Sequence, residues 1–126
     1  MSKWLSSSLQ ECSFKYKLIT SQKEFQSFLN SLKIGADAYC DEGALAQTYY
    51  YRDSGVCLVC LKEGLSLPEV DVFGLLVHEA VHVWQFHCEY IGEDKPGNET
   101  EAYAIQKLAV ELMRAYKKGK NDNAQF

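Results

Sequence analysis

From Glu69 the chain runs to Gly92 without a proline, and this stretch reads as one long helix. Pro68 suits the entry, where a missing N–H costs nothing, and Glu69 and Asp71 favour the positive N-terminal end. Val72, Leu75, Leu76 and Val83 supply its apolar surface. A chain of 126 residues has room for one core and not for two. Residues 1–118 are therefore read as one domain, with 119–126 as a polar, frayed tail.

The remaining elements follow from pattern. Ser13 to Thr20 alternates Phe14, Tyr16 and Leu18 with Lys15 and Lys17, the period of a half-buried strand. Ser21 and Glu24 have capping-box spacing, and Phe25, Phe28, Leu29 and Leu32 follow at helical intervals, so residues 22–33 are expected to be a helix ended by Gly35. Residues 36–44 read as irregular. Thr48 to Tyr51 and Val56 to Leu61 are β-prone runs joined by Arg52-Asp53-Ser54-Gly55, a hairpin signal. After the loop from Gly92 to Gly97, Asn98 is the expected N-cap of a last helix reaching about Lys117.

Composition narrows the partners. A net charge of −4 gives no electrostatic reason to expect nucleic acid or an anionic membrane. No apolar run has the roughly 18–20 residues that cross a bilayer, and Met1 to Ser8 lacks a secretory signal's apolar stretch. A cytoplasmic location is the expectation. The five cysteines are scattered and odd in number, which suits free thiols better than a disulfide framework. Cys57-Leu58-Val59-Cys60 has CxxC spacing, but no second pair accompanies it. In a strand its two thiols would face opposite ways, so free thiols are preferred to a structural zinc site.

Within the long helix lies His78-Glu79-Ala80-Val81-His82, an HExxH sequence. Two histidines four residues apart on a helix share a face and can share one metal ion, while the intervening glutamate can act as general base on water. A catalytic zinc generally takes a third protein ligand. His87 is a poor one, standing about 140° around the helix from His82 and nearly opposite His78. On the next helix Glu101 falls above the stripe Ala104, Ile105, Leu108 and Leu112, whereas Glu99 falls on the flank. A carboxylate at the top of an apolar stripe needs a partner, and a zinc held by His78 and His82 is one. The alternative is that Glu101 completes a capping box with Asn98. Gln85, on the ligand face, and Asn98 are candidates to orient the ligands by hydrogen bonding. Trp84 lies on another face, with Val81, and reads as packing.

With His78-Glu79-x-x-His82 and Glu101-Ala102-Tyr103-Ala104 downstream, the chain resembles the gluzincins, zinc metallopeptidases with two histidines and a glutamate as ligands. Among these it looks like very small phage- or prophage-type HExxH proteins, on the wording from His78 to Gln85, Gly92 to Pro96 and Glu101 to Gln106. The resemblance covers about a quarter of the chain. It implies an α+β, minimal zincin-like fold: a small antiparallel sheet of about three strands against helices, with an HExxH helix and an antiparallel C-terminal helix. It also implies an edge strand that binds extended peptide by strand addition. Val56, Cys57, Leu58, Val59, Cys60 and Leu61 are the candidate strand here. Two departures stand out. Ile105 occupies the position where gluzincins often carry an aspartate, and no remaining histidine is placed to stabilise an oxyanion. A tyrosine among Tyr49, Tyr50 and Tyr51 is the substitute; Tyr103, about 200° from Glu101, is not.

These readings converge on zinc-dependent hydrolysis of a peptide or protein substrate. His78, His82 and Glu101 are the expected Zn²⁺ ligands and Glu79 the expected base. One alternative is a non-catalytic zinc-binding module that holds a partner peptide. Another has no metal, with His78, Glu79 and His82 as ordinary helix residues.

Overall fold

The computed structural model describes Trp4, residues 14–41 and residues 43–124. Most of the N-terminal stretch read for a secretory signal, together with Cys12, Ser13 and the last two residues of the expected tail, lies outside them. Three strands and three α-helices follow in the order β1 (Lys15–Ile19), α1 (Gln22–Ser31), β2 (Ala46–Tyr51), β3 (Val56–Leu61), α2 (Glu69–Ile91) and α3 (Asn98–Ala124).

The sheet has the order β1-β3-β2 and is mixed rather than antiparallel. β2 and β3 form the expected hairpin, from Tyr51 opposite Val56 to Ala46 opposite Leu61. A 3-10 turn (Arg52–Ser54) and Gly55, at φ 66, close it. β1 pairs with β3 in parallel, Lys15 against Val56 and Ile19 against Cys60. The connection leaving β1 passes through α1 and all of β2 before β3 begins, a crossover long enough to return the chain in the same direction.

Both faces of the sheet are covered. Tyr16, Leu18, Cys57, Val59 and Leu61 pack with Val72, Leu76, Ala80 and Val83 of α2 and with Leu108 and Leu112 of α3. On the other face Ile19, Leu58 and Cys60 pack with Phe25 and Leu29 of α1. Cys57 and Cys60 are thus buried thiols on opposite faces, with no disulfide between them, as strand parity requires. The lysine side of β1 does not face solvent throughout. Lys17 is 3 % exposed, with Nζ 3.6 Å from the Phe28 ring centre and 4.3 Å from that of Trp4. Cation–π contact offsets part of the cost of burying that ammonium group, and burial lowers its pKa while Glu24 opposes the shift.

Ser21 Oγ accepts the Glu24 N–H at 3.1 Å and caps α1. The helix stops before Gly35, because Lys33 takes a left-handed conformation (φ 59) and Ile34 N–H reaches back to Leu29. Gly92, at φ 73, ends α2, and Glu93 N–H bonds the Cys88 carbonyl at 2.8 Å. α3 starts one residue earlier than an Asn98 cap would require: Glu101 N–H bonds the Gly97 carbonyl at 2.9 Å. It also continues through Gly119 to Ala124, where a frayed tail was expected. An ion pair from Glu69 to Lys117 (3.7 Å) and a hydrogen bond from Trp84 to Glu101 (2.8 Å) show that α3 returns antiparallel along α2. Among the described residues no helix is long and apolar enough to cross a membrane.

Candidate metal centre and its glutamate

α2 presents one face to the sheet, and this orientation sorts the HExxH residues. Ala80 and Val83 are fully buried against it. His78, on the far side, has a side chain 69 % exposed. The rings of His78 and His82 lie side by side, centres 5.0 Å apart and planes at 73°, as a four-residue helical spacing dictates. Gln85, one turn on, places Oε1 2.9 Å from His82 Nδ1. The amide oxygen can only accept, so in this contact Nδ1 is the donor.

Glu79 turns inward and is only 4 % exposed. The Thr48 hydroxyl, on β2, donates to its Oε1 at 2.9 Å. Its Oε2 lies 4.0 Å from His78 Nε2, the only ion pair that Glu79 makes among the described residues. Among the described residues this buried carboxylate has one hydroxyl partner and one imidazole beside it, and neither a lysine nor an arginine.

Glu101 comes to α2 but not by its expected partners. Its Oε2 accepts the Trp84 indole N–H at 2.8 Å. No capping box to Asn98 forms, and Asn98 is exposed with no hydrogen bond, among the described residues, to the histidines or Glu101. Among the described residues no three His, Cys, Asp or Glu groups converge closely enough to hold an ion. The two imidazoles stand side by side on one face of α2, while Glu101, the expected third ligand, is bonded to Trp84 at the α2–α3 seam.

His87 lies on the core side, as its angle on the helix required. It is 6 % exposed, stacked on Trp84 at 5.4 Å, with Nδ1 buried and unpartnered among the described residues. Burial lowers its pKa.

Val56–Leu61 is not the edge strand. Every residue of β3 is buried, with β1 on one side and β2 on the other, so both hydrogen-bonding edges are taken. Six consecutive apolar residues suit an interior strand covered on both faces. The edge nearer the HExxH helix is β2. The tyrosines of β2 do not supply an oxyanion donor in this arrangement. Tyr49 and Tyr51 face away from α2, bonding the Ala38 carbonyl and Asp37. Tyr50 faces α2 but stacks on Phe86 at 4.8 Å, its hydroxyl buried without a partner among the described residues.

Sequence reasoning missed Thr48 and the Trp84–Glu101 bond. Nothing local marks Thr48, since its partner lies 31 residues away. Trp84 did carry a signal: a buried indole N–H almost always finds an acceptor, and the nearest carboxylates on the returning helix were the ones to ask about. Comparison with family models, with characterised proteins and with solved structures finds no match to this chain.

Proposed function

We propose that this chain is a zinc-dependent peptidase whose ion is held by His78 and His82, with Glu101 as third ligand. The observation that carries the reading is Glu79: a carboxylate 4 % exposed, beside two adjacent imidazoles, with no lysine or arginine partner among the described residues. A cation at the imidazoles removes that imbalance, whereas a merely structural glutamate at this position would be expected to turn to solvent.

A zinc ion, when bound, polarises a carbonyl and acidifies water. Glu79 accepts the proton of the attacking water and returns it to the leaving amine. Thr48 holds Oε1, so Oε2, on the His78 side, carries the proton. Gln85 accepts from His82 Nδ1 and fixes the ring. β2, the sheet edge beside α2, is where an extended peptide would add as a further strand.

The high exposure of His78 favours a second reading, a shallow zinc site that holds a peptide without cutting it. Elemental analysis of protein purified without chelators, alongside His78→Ala and Glu79→Gln, tests both. One zinc per chain, lost in His78→Ala and kept in Glu79→Gln, is the expected result. Peptide-library cleavage that disappears in Glu79→Gln supports the peptidase, and stoichiometric zinc without cleavage supports the binding module. A chain that neither retains nor takes up zinc sinks both.

A further inference from the structure

β2 is the open edge of the sheet beside α2, and the parity of its ladder decides which of its residues an added strand meets. Lys62 N–H bonds the Leu45 carbonyl at 2.9 Å, one step beyond the Ala46–Leu61 pair. Antiparallel ladders alternate, so Gln47, Tyr49 and Tyr51 also turn their N–H and C=O groups toward β3. Ala46, Thr48 and Tyr50 turn theirs to the open side, where no further strand pairs with β2 among the described residues. A strand laid antiparallel on this edge places one residue directly opposite Thr48. Its side chain then stands on the same face of the sheet as the Thr48 hydroxyl.

That face meets Glu79. Thr48 engages Oε1 at 2.9 Å, while His78 Nε2, 4.0 Å from Oε2, is beyond hydrogen-bond distance. Oε2 lies on the side of the exposed His78, so the oxygen without a hydrogen bond is the one nearer solvent. We propose that β2 binds an extended segment of a partner protein whose lysine, opposite Thr48, pairs with Glu79 Oε2. Charge complementarity carries the choice of partner: a buried carboxylate with no lysine or arginine of its own among the described residues selects a cation from outside. Cross-strand Cβ atoms stand about 4.5–5.5 Å apart, within the reach of a lysine stem. One available oxygen suits an ammonium group, whereas a guanidinium fork binds best where both carboxylate oxygens are open. The inference takes from the proposed function only the open edge of β2 and uses no metal. A lysine at Oε2 stands where the attacking water would, so a segment held this way is not cut.

The probe is a fluorescein-labelled nonapeptide alternating threonine and valine with a single central lysine, compared with the same peptide carrying norleucine there. Fluorescence anisotropy should show the lysine peptide binding the unaltered protein about tenfold more tightly. Glu79→Gln, which keeps an acceptor for Thr48, should bring the two peptides within about twofold of each other. On binding, hydrogen exchange should slow at the amides of Ala46, Thr48 and Tyr50 and not at those of Gln47 and Tyr49, already paired to β3. In ¹³C-glutamate-labelled protein the Glu79 carboxyl signal should move with the lysine peptide and stay in place with the norleucine one.

Equal binding of the two peptides overturns the inference while leaving β2 as a docking edge. A lysine preference that survives in Glu79→Gln overturns it as well. So does a Glu79 carboxyl signal unmoved by saturating lysine peptide, a measurement on the unaltered protein that decides if Glu79→Gln does not fold. Cleavage of the lysine peptide overturns it in favour of the peptidase. If the unaltered protein binds neither peptide, the inference and the reading of β2 as a docking edge fall together, and the zinc content is untouched by that result.

Discussion

Glu79 and His87 lie eight residues apart on one helix, and both are titratable side chains that are largely buried. Glu79 has Thr48 and a neighbouring imidazole; His87 Nδ1 has no partner among the described residues. For His87 the consequence for stability has a definite sign. Burial lowers its pKa in the folded state, so below the ordinary value of about 6.5 the unfolded chain takes up a proton that the folded one resists. Its contribution to stability is fully present above that pH and is lost as pH falls through the folded value. His87→Phe, which keeps a ring against Trp84, should therefore flatten the acid limb of a plot of Tm against pH between 7 and 5. An unchanged acid limb would show that His87 does not titrate with unfolding.

At the scale of elements, α2 and its caps decide where the candidate ligands stand. Two of its glycines should respond oppositely to the same substitution. Gly74 lies inside the helix with no neighbouring group within 4 Å of where a Cβ would stand, so Gly74→Ala should stabilise by about 1 kcal/mol through helix propensity. Gly92 also has open space around it, but at φ 73 an alanine is strained, and Gly92→Ala should destabilise by about 1–2 kcal/mol. Urea unfolding of the two variants checks the pair; equal signs would mean that helix ending and helix interior were wrongly assigned. α2 was legible in the chain because its signals are local: proline at one end, glycine at the other, and periodic apolar residues between. The end of α1 was misread for a related reason. Lys33 adopts the left-handed conformation that Gly35 could have supplied at lower cost, and composition does not reveal such a choice.

For the whole molecule, the informative strand is β3. It is hydrogen-bonded on both edges and covered on both faces, by α1 on one side and by α2 and α3 on the other. Its amides should exchange with solvent only through global unfolding, while the outward amides of β2 exchange faster by local opening. Native-state hydrogen exchange measures this directly, and fast exchange across β3 would contradict its central placement. The same placement moves the expected peptide-binding edge to β2, the strand that carries Thr48.

What the chain determines alone is whatever depends on spacing along one element. The adjacency of His78 and His82, the inward turn of His87, the opposed thiols of Cys57 and Cys60 and the hairpin all follow from helical or strand periodicity. Tertiary structure decided the contacts between elements distant in sequence: β1 pairing in parallel with β3, Thr48 reaching Glu79, and Glu101 meeting Trp84 instead of capping its own helix. The physical reason is one of range. Periodicity sets the direction of a side chain about its own axis, but the group it meets is set by how helices and strands pack, which depends on the shape of the whole core.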